Sequence, residues 1–469
     1  RFNKEIVTEE FFENYKRLFF DLNFYLDSDD EFKKFADKNK LDISLFAKKL
    51  LGQIVFCYFL QKKRWLGAKK NTSLDSGDEN FLRNKFIEIT KNKKNFFNDL
   101  LEPLFYLGLS YENSNSFCAE INCKVPYLNG GLFEPIENYD WEKEDLKIPN
   151  SIFSNESNSG ILDIFDLYNF TVDENEDLDL DIAIDPEMLG NVFEKLLDIK
   201  TREQQGTFYT PKEVATYMCR ASLKNYLIKN HNNLNEETLD NLFISYDSHK
   251  LSKSDLLELD NLLKNVAICD PCIGSGAFAV TIMNEVSKLR SSINKDNHNL
   301  EDKIYFYKKY FIQNNIYGVD IEPGAVEISK LRLWLSLIVD IKKISLIDTL
   351  PNLDYKIMQG DSLIDEYHGI KFEKSEYDLI GIDPKLENSI KDLQTKQSEY
   401  LNLKYAKSKF EKRKQVQEKL KDILMYVLNQ KKNNTKNDKN SEIAIKNIEK
   451  NINEISYSYA VKDFFFWKL

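Results

Sequence analysis

The chain has few cysteines and histidines for its length. Its 469 residues include six cysteines and four histidines. The cysteines lack the spacing of a disulfide framework, which excludes the small secreted scaffolds and predicts a reducing, cytoplasmic environment. The histidines show no metal-ligand spacing, so the sequence predicts no metal site. They are His231, His249, His298 and His368.

An excess of positive charge is also missing. The formal net charge is −11 at pH 7, which argues against a free-standing nucleic-acid binder, because such a protein needs a basic face. No run approaches the roughly 18 apolar residues of a membrane span, so no membrane association is predicted. The densest apolar run, residues 51–60, contains Gly52 and Gln53 and is typical of a buried helix. The chain opens on Arg1 with no signal peptide, which predicts an excised or processed piece.

What is present centres on a glycine turn, Asp270-Pro-Cys-Ile-Gly-Ser-Gly-Ala-Phe278. The apolar residues 266–269 before it predict a short buried strand, and residues 277–289 after it predict a helix. Gly274 and Gly276 can take positive φ and let a ligand approach the main-chain N–H groups. Such a turn alone serves dinucleotides, methyl donors and structural turns alike.

Two later strands also end in an acid. They are Ile316-Tyr-Gly-Val-Asp320 and Ile357-Met-Gln-Gly-Asp-Ser-Leu363, whose acid is Asp361. Asp320 follows Gly276 by 44 positions, whereas a dinucleotide fold places its acid about 20 residues on, so residues 291–315 are interpreted as an insertion. Because the carboxyl ends of parallel strands meet at one edge of a sheet, the three acids predict one crevice.

A helix start precedes the glycine turn, at Gly206-Thr-Phe-Tyr-Thr-Pro211. Thr210 is predicted as the N-cap, Pro211 as the first helical residue, and Glu213 as the partner in a capping box, with the helix running to about Leu227. The structural interpretation is a well-formed helix start. The functional interpretation adds that this N-terminus receives the carboxylate of an amino-acid ligand.

The two flanking regions are predicted to be helical. In residues 1–110, apolar residues such as Phe12, Tyr15, Phe19 and Leu22 recur at helical spacing. After a plausible strand at 377–384, Leu386, Ile390, Leu393 and Tyr400 follow a 4-3-7 spacing, like a coiled-coil seam. With an Asn/Lys-rich turn at 429–440 and isoleucines at 445–455, this pattern predicts a helical hairpin that folds back on itself. The oligomeric state is not predicted.

Taken together, four motifs resemble those of the amino-methylating DNA methyltransferases, in particular the large bacterial type IIG restriction-modification polypeptides. Residues 206–211 resemble Gly-(Ser or Thr)-Phe-Tyr-Thr-Pro, and residues 270–278 are similar to Asp-Pro-(Ala or Cys)-x-Gly-Ser-Gly-x-Phe. Residues 318–323 resemble Gly-Val-Asp-Ile-(Asp or Glu)-Pro, and residues 360–363 resemble Gly-Asp-(Ser or Ala)-Leu. The motifs stand in family order and cover about residues 189–363.

The resemblance implies an α/β fold, namely a Rossmann-like S-adenosylmethionine-dependent methyltransferase sheet preceded by an α-helical domain and carrying a helical hairpin insertion. The implied domains are a mostly helical N-terminal connector at 1–180, the cofactor-binding domain at 181–384, the hairpin at 385–460, and at 461–469 the start of the strand region that leads to the catalytic motif.

It also implies S-adenosylmethionine as the methyl donor. Thr210 would touch its methionine end, Asp320 would accept hydrogen bonds from the ribose hydroxyls, and Asp361 would accept from the adenine amino group. Ile321 either packs on the adenine or is a core residue. The implied cofactor-binding residues are Thr210, Pro211, Asp270, Pro271, Gly274, Gly276, Phe278, Asp320, Ile321 and Asp361.

The family's catalytic motif, (Asn, Asp or Ser)-Pro-Pro-(Tyr, Phe or Trp), does not occur in the sequence. The nearest match, Ile382-Asp-Pro-Lys385, lacks the second proline and the aromatic residue. Asp383 and Pro384 are therefore either a degenerate catalytic remnant or unrelated, with the true motif lying after Leu469. We favour the second interpretation, which predicts that this chain binds the donor but does not methylate DNA alone.

The leading hypothesis is the adenine-N6 methyltransferase region of a restriction-modification enzyme, which acts on a flipped base of double-stranded DNA through the full-length polypeptide. Two alternatives remain: a phage-exclusion methylase without a nuclease, and a non-catalytic cofactor-binding subunit. A dehydrogenase is a weaker fourth hypothesis, because residues 206–211 have no role there. An attached endonuclease and the DNA recognition sequence are not predicted.

Overall fold

The structure is a computed structural model, and it describes most of the chain. The described residues are 2–39, 41–128, 131–135, 139, 141–143, 146–170, 183–184, 189, 210–231, 233–246, 251–294, 303–341, 344, 349–363, 366–367, 370–371, 384–401, 406–434, 443, 445–447, 449–450 and 452. The predicted strand at 377–384, apart from Pro384, and the residues 461–469 lie outside them. Leu189 is buried.

The first part of the chain is helical, as its apolar spacing predicts. Phe12, Tyr15, Phe19 and Leu22 are all buried on one face of the first helix. Six helices are described in this part: α1 (Phe2–Ser28), α2 (Asp30–Asn39), α3 (Ile43–Lys62), α4 (Phe81–Lys91), α5 (Asn150–Phe153) and α6 (Ile161–Phe165).

Short segments connect these helices. Two π-helical segments, Phe97–Leu101 and Pro103–Leu109, follow α4. Strand β1 (Phe117–Cys118) pairs antiparallel with β2 (Cys123–Lys124), and β3 (Asn169–Phe170) pairs parallel with β4 (Ala183–Ile184).

Helix α3 is the core of this region. Every residue from Leu50 to Gln61 is buried, so the helix has no solvent-facing side along that stretch. By length and composition α3 could cross a membrane, but 78% of its apolar window is buried inside the protein. A helix that is apolar all round and enclosed by its own protein is a core helix.

The central part of the chain forms an α/β unit. Its elements are α7 (Lys212–Asn230), α8 (Glu236–Ser245), α9 (Lys253–Asn265), β5 (Ile268–Asp270), α10 (Ala277–Ile293), α11 (Lys303–Asn314), β6 (Ile316–Asp320), α12 (Pro323–Asp340) and β7 (Ile357–Gln359). The three strands are parallel in the order β5-β6-β7, which confirms the predicted parallel sheet. A small antiparallel pair follows: β8 (Glu366–Tyr367) and β9 (Ile370–Lys371).

Two local predictions differ from the structure. The strand before the glycine turn is 268–270 rather than 266–269, because Val266 and residue 267 still belong to the loop after α9. The prediction that this strand is buried is wrong too, since Cys269 is exposed and its two neighbours are half-buried. The supposed insertion at 291–315 contains the end of α10 and the whole of α11. Both helices pack together before the chain enters β6, so the extra length is a second crossover helix.

The last described part is a helical hairpin of α13 (Pro384–Leu401) and α14 (Ala406–Asn434). Leu386, Leu393 and Tyr400 of α13 pack against an apolar face of α14, in a cluster that Ile445 and Ile452 join. The predicted turn at 429–440 is wrong in its first residues, since α14 continues to Asn434. The domain boundaries at 180, 384 and 460 stay predictions.

The helical part and the sheet part pack through α3 and α12. Gly52 lets the helices approach, since a Cβ built there would lie 3.2 Å from Leu331 Cδ2. The Lys63 ammonium donates to the carbonyl oxygens of Val339 (3.0 Å) and Ile341 (2.7 Å), at the end of α12. A cation is favourable there because the last carbonyls of a helix carry a partial negative charge.

Candidate functional site

The glycine turn connects β5 to α10, and its two glycines have different tasks. Both have positive φ, +53° at Gly274 and +82° at Gly276, which side chains other than hydrogen rarely allow. A Cβ at Gly276 would lie 3.1 Å from Ser329 Cβ on α12, so this glycine permits close packing. A Cβ at Gly274 would have no atom of the described residues within 4 Å. Gly274 therefore borders open space.

A buried arginine supports the glycine turn through hydrogen bonds. Arg332 of α12 is 6% exposed and donates to both the carbonyl and the hydroxyl oxygen of Ser275, each at 2.9 Å. The sequence analysis missed this residue. A signal existed, because Arg332 is a single charge within a run of apolar residues on α12, and such residues are seldom buried without a partner.

The Asp320 carboxylate ties the ends of two strands together. Its Oδ2 accepts the Gly274 N–H at 2.8 Å, and its Oδ1 accepts the Glu322 N–H at 2.9 Å. Each carboxylate oxygen can accept a further hydrogen bond. Asp320 thus holds the glycine turn in place and keeps acceptor capacity for a ligand.

Asp270 brings a second carboxylate to the turn. Its Oδ1 accepts the Cys272 N–H at 3.2 Å, while its buried Oδ2 has no hydrogen-bond partner among the described residues. Burial, followed by the negative charge of Asp320, raises the pKa of the Asp270 carboxyl. The two acids make this edge of the sheet a place where a cationic group or a hydrogen-bond donor is favoured.

The end of β7 meets the same edge. The Gly360 N–H donates to the Asp320 carbonyl at 2.8 Å, and Asp361 Oδ1 accepts the Leu363 N–H at 2.9 Å. Cys272 Sγ lies 3.9 Å from Ser362 Oγ, which brings the first and third strand ends together. Asp361 itself lies two residues beyond β7 rather than within it.

The predicted capping box at Thr210 is wrong. Helix α7 begins at Lys212, its N-cap is Pro211, and no side chain caps it. Pro211 has an extended backbone (φ −54°, ψ 145°), so the helix starts after the proline and Glu213 stands one position too early for the box. Thr210 is half-buried and Pro211 is exposed.

Helix α7 is anchored to the helix that follows the glycine turn. The Cys219 thiol lies 3.7 Å from the Phe278 carbonyl oxygen. The Arg220 guanidinium donates to both Glu285 oxygens, at 2.8 and 3.1 Å, and to the Tyr246 hydroxyl at 2.9 Å. These contacts hold α7 against α10, and the role of Thr210 stays a prediction.

The remaining candidates are placed as follows. Ile321 is 53% exposed, so its interpretation as a core residue is wrong. Pro271 is exposed, and Phe278 packs partly buried against the core. Asp383 lies outside the described residues, and Pro384 is the exposed first residue of α13, a position that suits proline for structural reasons alone. Among the described residues no three His, Cys, Asp or Glu side chains could hold a metal ion together.

A glycine turn with acids at three neighbouring strand ends defines an α/β site of the kind that holds a nucleoside-containing ligand. Two family models match this part of the chain. Residues 314–468 match the family described as Eco57I restriction-modification methylase, and residues 246–377 match the DNA-methyltransferase domain of MmeI.

Known relatives give a concordant result. The chain is 30% identical, over 406 residues, to a putative type II restriction enzyme and methyltransferase from Methanocaldococcus jannaschii, covering 77% of this chain and 32% of the relative. It is 24% identical over 292 residues to DNA methyltransferase A from Bacillus subtilis, covering 61% of this chain and 27% of the relative. The chain thus spans about a third or less of these relatives.

A solved structure, the type IIL restriction-modification enzyme MmeI in complex with DNA, aligns with a TM-score of 0.45 and 19% identity, over 76% of this chain and 40% of that one. The family models and the sequence relatives support a methyltransferase of the restriction-modification type.

Proposed function

We propose that the crevice at the carboxyl ends of β5, β6 and β7 binds S-adenosylmethionine, and that the chain is the donor-binding part of an adenine-N6 DNA methyltransferase. The observation that carries the proposal is the Asp320 carboxylate, which accepts N–H groups from both the glycine turn and the start of α12. A ligand held by Asp320 would therefore contact the turn and the next strand at once.

The residues present fit this donor. An added Cβ at Gly274 would meet no atom of the described residues within 4 Å, which leaves room for a ligand to approach the backbone closely. The unpaired Asp270 Oδ2 suits a cationic or N–H group, and S-adenosylmethionine carries both an ammonium and a sulfonium. Asp320 would accept from the ribose hydroxyls and Asp361 from the adenine amino group.

When bound, S-adenosylmethionine supplies a methyl group already activated for displacement by its sulfonium. The residues of this chain then have to bind and orient the donor, because alignment of the two reactants can provide much of such a rate enhancement. The target base would reach the donor by leaving the DNA duplex.

Adenine as the target and DNA as the partner are parts of the proposal. Adenine is inferred from the order of the motifs, in which the cofactor motifs precede the place of the catalytic one. For DNA, the descriptions of the relatives are one support. A second support is helix α14, which carries eight lysines, besides the paired Arg413, and only three Asp or Glu in a chain whose net charge is −11. Such a local cluster is what an acidic protein needs to approach phosphates.

We expect the 469-residue chain to bind the donor without transferring its methyl group. The reason is that no (Asn, Asp or Ser)-Pro-Pro-aromatic motif occurs in it, so no group is available to hold the target amine. Incubation with labelled S-adenosylmethionine and double-stranded DNA should leave the DNA unlabelled, while equilibrium dialysis of the same sample shows bound donor. Labelled DNA would disprove this expectation, and absence of bound donor would disprove the proposed function.

A second experiment separates the enzyme from the non-catalytic cofactor-binding subunit. If a longer polypeptide that joins this chain to an (Asn, Asp or Ser)-Pro-Pro-aromatic motif methylates DNA, the chain is part of an enzyme. If the longer polypeptide binds donor and still transfers nothing, the cofactor-binding subunit is favoured.

Replacing Asp270 with asparagine is expected to stabilise the donor-free protein and to weaken donor binding about tenfold. Asparagine keeps the acceptor for the Cys272 N–H but removes a buried charge. Because the pKa of Asp270 is raised in the folded state, the folded protein holds this proton more tightly than the unfolded chain does. The charged carboxylate therefore lowers the free energy of unfolding above that pKa, and the penalty disappears as the pH falls through it.

Asp270→Asn should accordingly melt at a higher temperature than the wild type at pH 7. The difference should vanish toward about pH 4, where carboxyls protonate in the unfolded chain too. Thermal melting between pH 4 and 8, with and without donor, measures both effects. A lower melting temperature for the variant at pH 7 would show that Asp270 has a partner outside the described residues.

A further inference from the structure

The turn that leads into β7 holds a strained residue. Tyr355 has φ +61°, in the left-handed region that large side chains rarely occupy. The backbone around it is closed by hydrogen bonds from the Lys356 and Ile357 N–H groups to the Leu353 carbonyl, at 3.0 and 2.9 Å. Such a conformation persists only where the surrounding structure enforces it.

The helical hairpin provides that enforcement. The Tyr400 hydroxyl, at the end of α13, donates to Asp354 Oδ2 at 2.6 Å, and the Tyr400 ring packs edge-on against Tyr355 at 5.7 Å. Arg413 of α14 donates to the Tyr400 hydroxyl at 3.0 and 3.1 Å, and to Glu134 Oε2 at 2.6 Å. Tyr400 is fully buried, and Asp354 is 5% exposed.

The hairpin residues Tyr400 and Arg413, with the turn residues that they hold, are called the clamp here. The charged groups in and around the clamp balance one another. Lys330 of α12 lies 3.3 Å from Glu327 and 3.8 Å from Asp354 Oδ1, while Arg413 lies 3.5 Å from Asp354 Oδ2. Three cations and three anions make up the group: Lys49, Lys330, Arg413, Glu134, Glu327 and Asp354. Burial, and then the Asp354 charge, raises the pKa of the Tyr400 hydroxyl, which keeps it protonated as a donor.

Stability alone does not explain this polar group. The hairpin already has an apolar seam, and a buried ion network is often no more stable than apolar residues of the same volume. What a fully paired network adds is a defined geometry. Here the geometry is imposed on Asp354 and Tyr355.

From this turn the chain enters the site directly. The Lys356 carbonyl accepts the Gly318 N–H at 2.8 Å, and the register of β7 then sets Gln359 opposite Asp320. Asp361 follows two residues later. The position of the turn along the sheet therefore determines where the Asp361 carboxylate stands relative to Asp320.

We propose that Tyr400 and Arg413 are positioning residues of the donor site: the helical hairpin clamps the strained 354–355 turn and so places Asp361 to receive the adenine amino group. This inference rests on the proposed function. The hairpin would thus contribute to recognition of the donor, and specifically of its adenine ring.

The test is a double-mutant cycle of Tyr400→Phe and Asp361→Ala, with binding of S-adenosylhomocysteine and of its inosyl analogue measured by calorimetry. Tyr400→Phe removes only the hydroxyl. We expect it to weaken binding of the adenosyl ligand about tenfold, to reduce the preference for adenosyl over inosyl, and to add little in the Asp361→Ala background. The inference would be overturned if the fold-changes in affinity of the two substitutions multiply in the double variant. It would also be overturned if Tyr400→Phe keeps the wild-type preference for the adenosyl over the inosyl ligand.

Two further variants make the test robust. Tyr426→Phe is the matched control, because its hydroxyl accepts from Gln430 on the same helix and it should leave binding unchanged. Arg413→Lys keeps the charge but loses the forked contact, and it should repeat the loss of preference if Tyr400→Phe does not fold. If the wild type binds neither ligand, the proposed function fails, and this outcome differs from binding without coupling.

Discussion

Replacing Asp320 with alanine is expected to weaken binding of S-adenosylmethionine by about 100-fold or more. The substitution removes two acceptor positions for the ribose hydroxyls, and hydrogen bonds to a charged group contribute about 1.5–3 kcal/mol each. It also leaves the Gly274 and Glu322 N–H groups without their shared acceptor. Isothermal titration calorimetry of the two proteins gives the ratio of dissociation constants directly.

The matched control is Glu322→Ala. The hydrogen bond to Asp320 comes from the backbone N–H of Glu322, so removal of the Glu322 side chain should leave the affinity within about twofold of the wild type. Asp320→Asn is informative as well, because its amide NH₂ would have to face the N–H of Gly274 or of Glu322. We expect Asp320→Asn to lose about as much affinity for the donor as Asp320→Ala does. An unaltered affinity in Asp320→Ala would remove this residue from the site.

Alanine at the two glycines of the turn is expected to separate binding from folding. Gly274→Ala places a methyl group in the space proposed for the donor, with no protein atom within 4 Å, at a strain cost of about 1 kcal/mol. Gly276→Ala adds to the same strain a contact of 3.1 Å with Ser329 on a packed helix, and such overpacking costs about 1–3 kcal/mol more.

We therefore expect Gly274→Ala to melt close to the wild type yet to lose donor binding by about 100-fold or more, while Gly276→Ala melts clearly lower. Thermal melting with a titration of S-adenosylmethionine tests both, because a ligand that binds the folded state raises its melting temperature. If Gly274→Ala still shows the wild-type donor-induced shift, the donor does not lie beside this glycine. Equal melting of the two variants would contradict the packing role of Gly276.

The ends of the strands and helices show most clearly how much of the structure the sequence predicted. Strand β6 ends at Asp320 as predicted, because an apolar run that stops at an acid before Pro323 is a local signal. The start of α7 was wrong by one residue: Thr210 and Pro211 favour the earlier register by local preference, whereas the structure begins the helix at Lys212. Helix α11 was not predicted, because the extra residues between Gly276 and Asp320 were interpreted only as an insertion relative to a dinucleotide-binding fold.

Local periodicity and turn chemistry were enough to predict the buried first helices and the glycine turn, because each depends on residues a few positions apart, while the parallel sheet was inferred from the acids at the strand ends. Only the tertiary structure could show that Gly274 donates to Asp320, 46 residues away, and that Tyr400 of the hairpin donates to Asp354, also 46 residues away. The first contact depends on the pairing of β5 with β6, and the second on the packing of the hairpin against the turn before β7; such pairing between distant segments leaves no period in the sequence. The sequence therefore predicted the types of residue at the ligand crevice, whereas the contacts of the clamp depend on the tertiary structure.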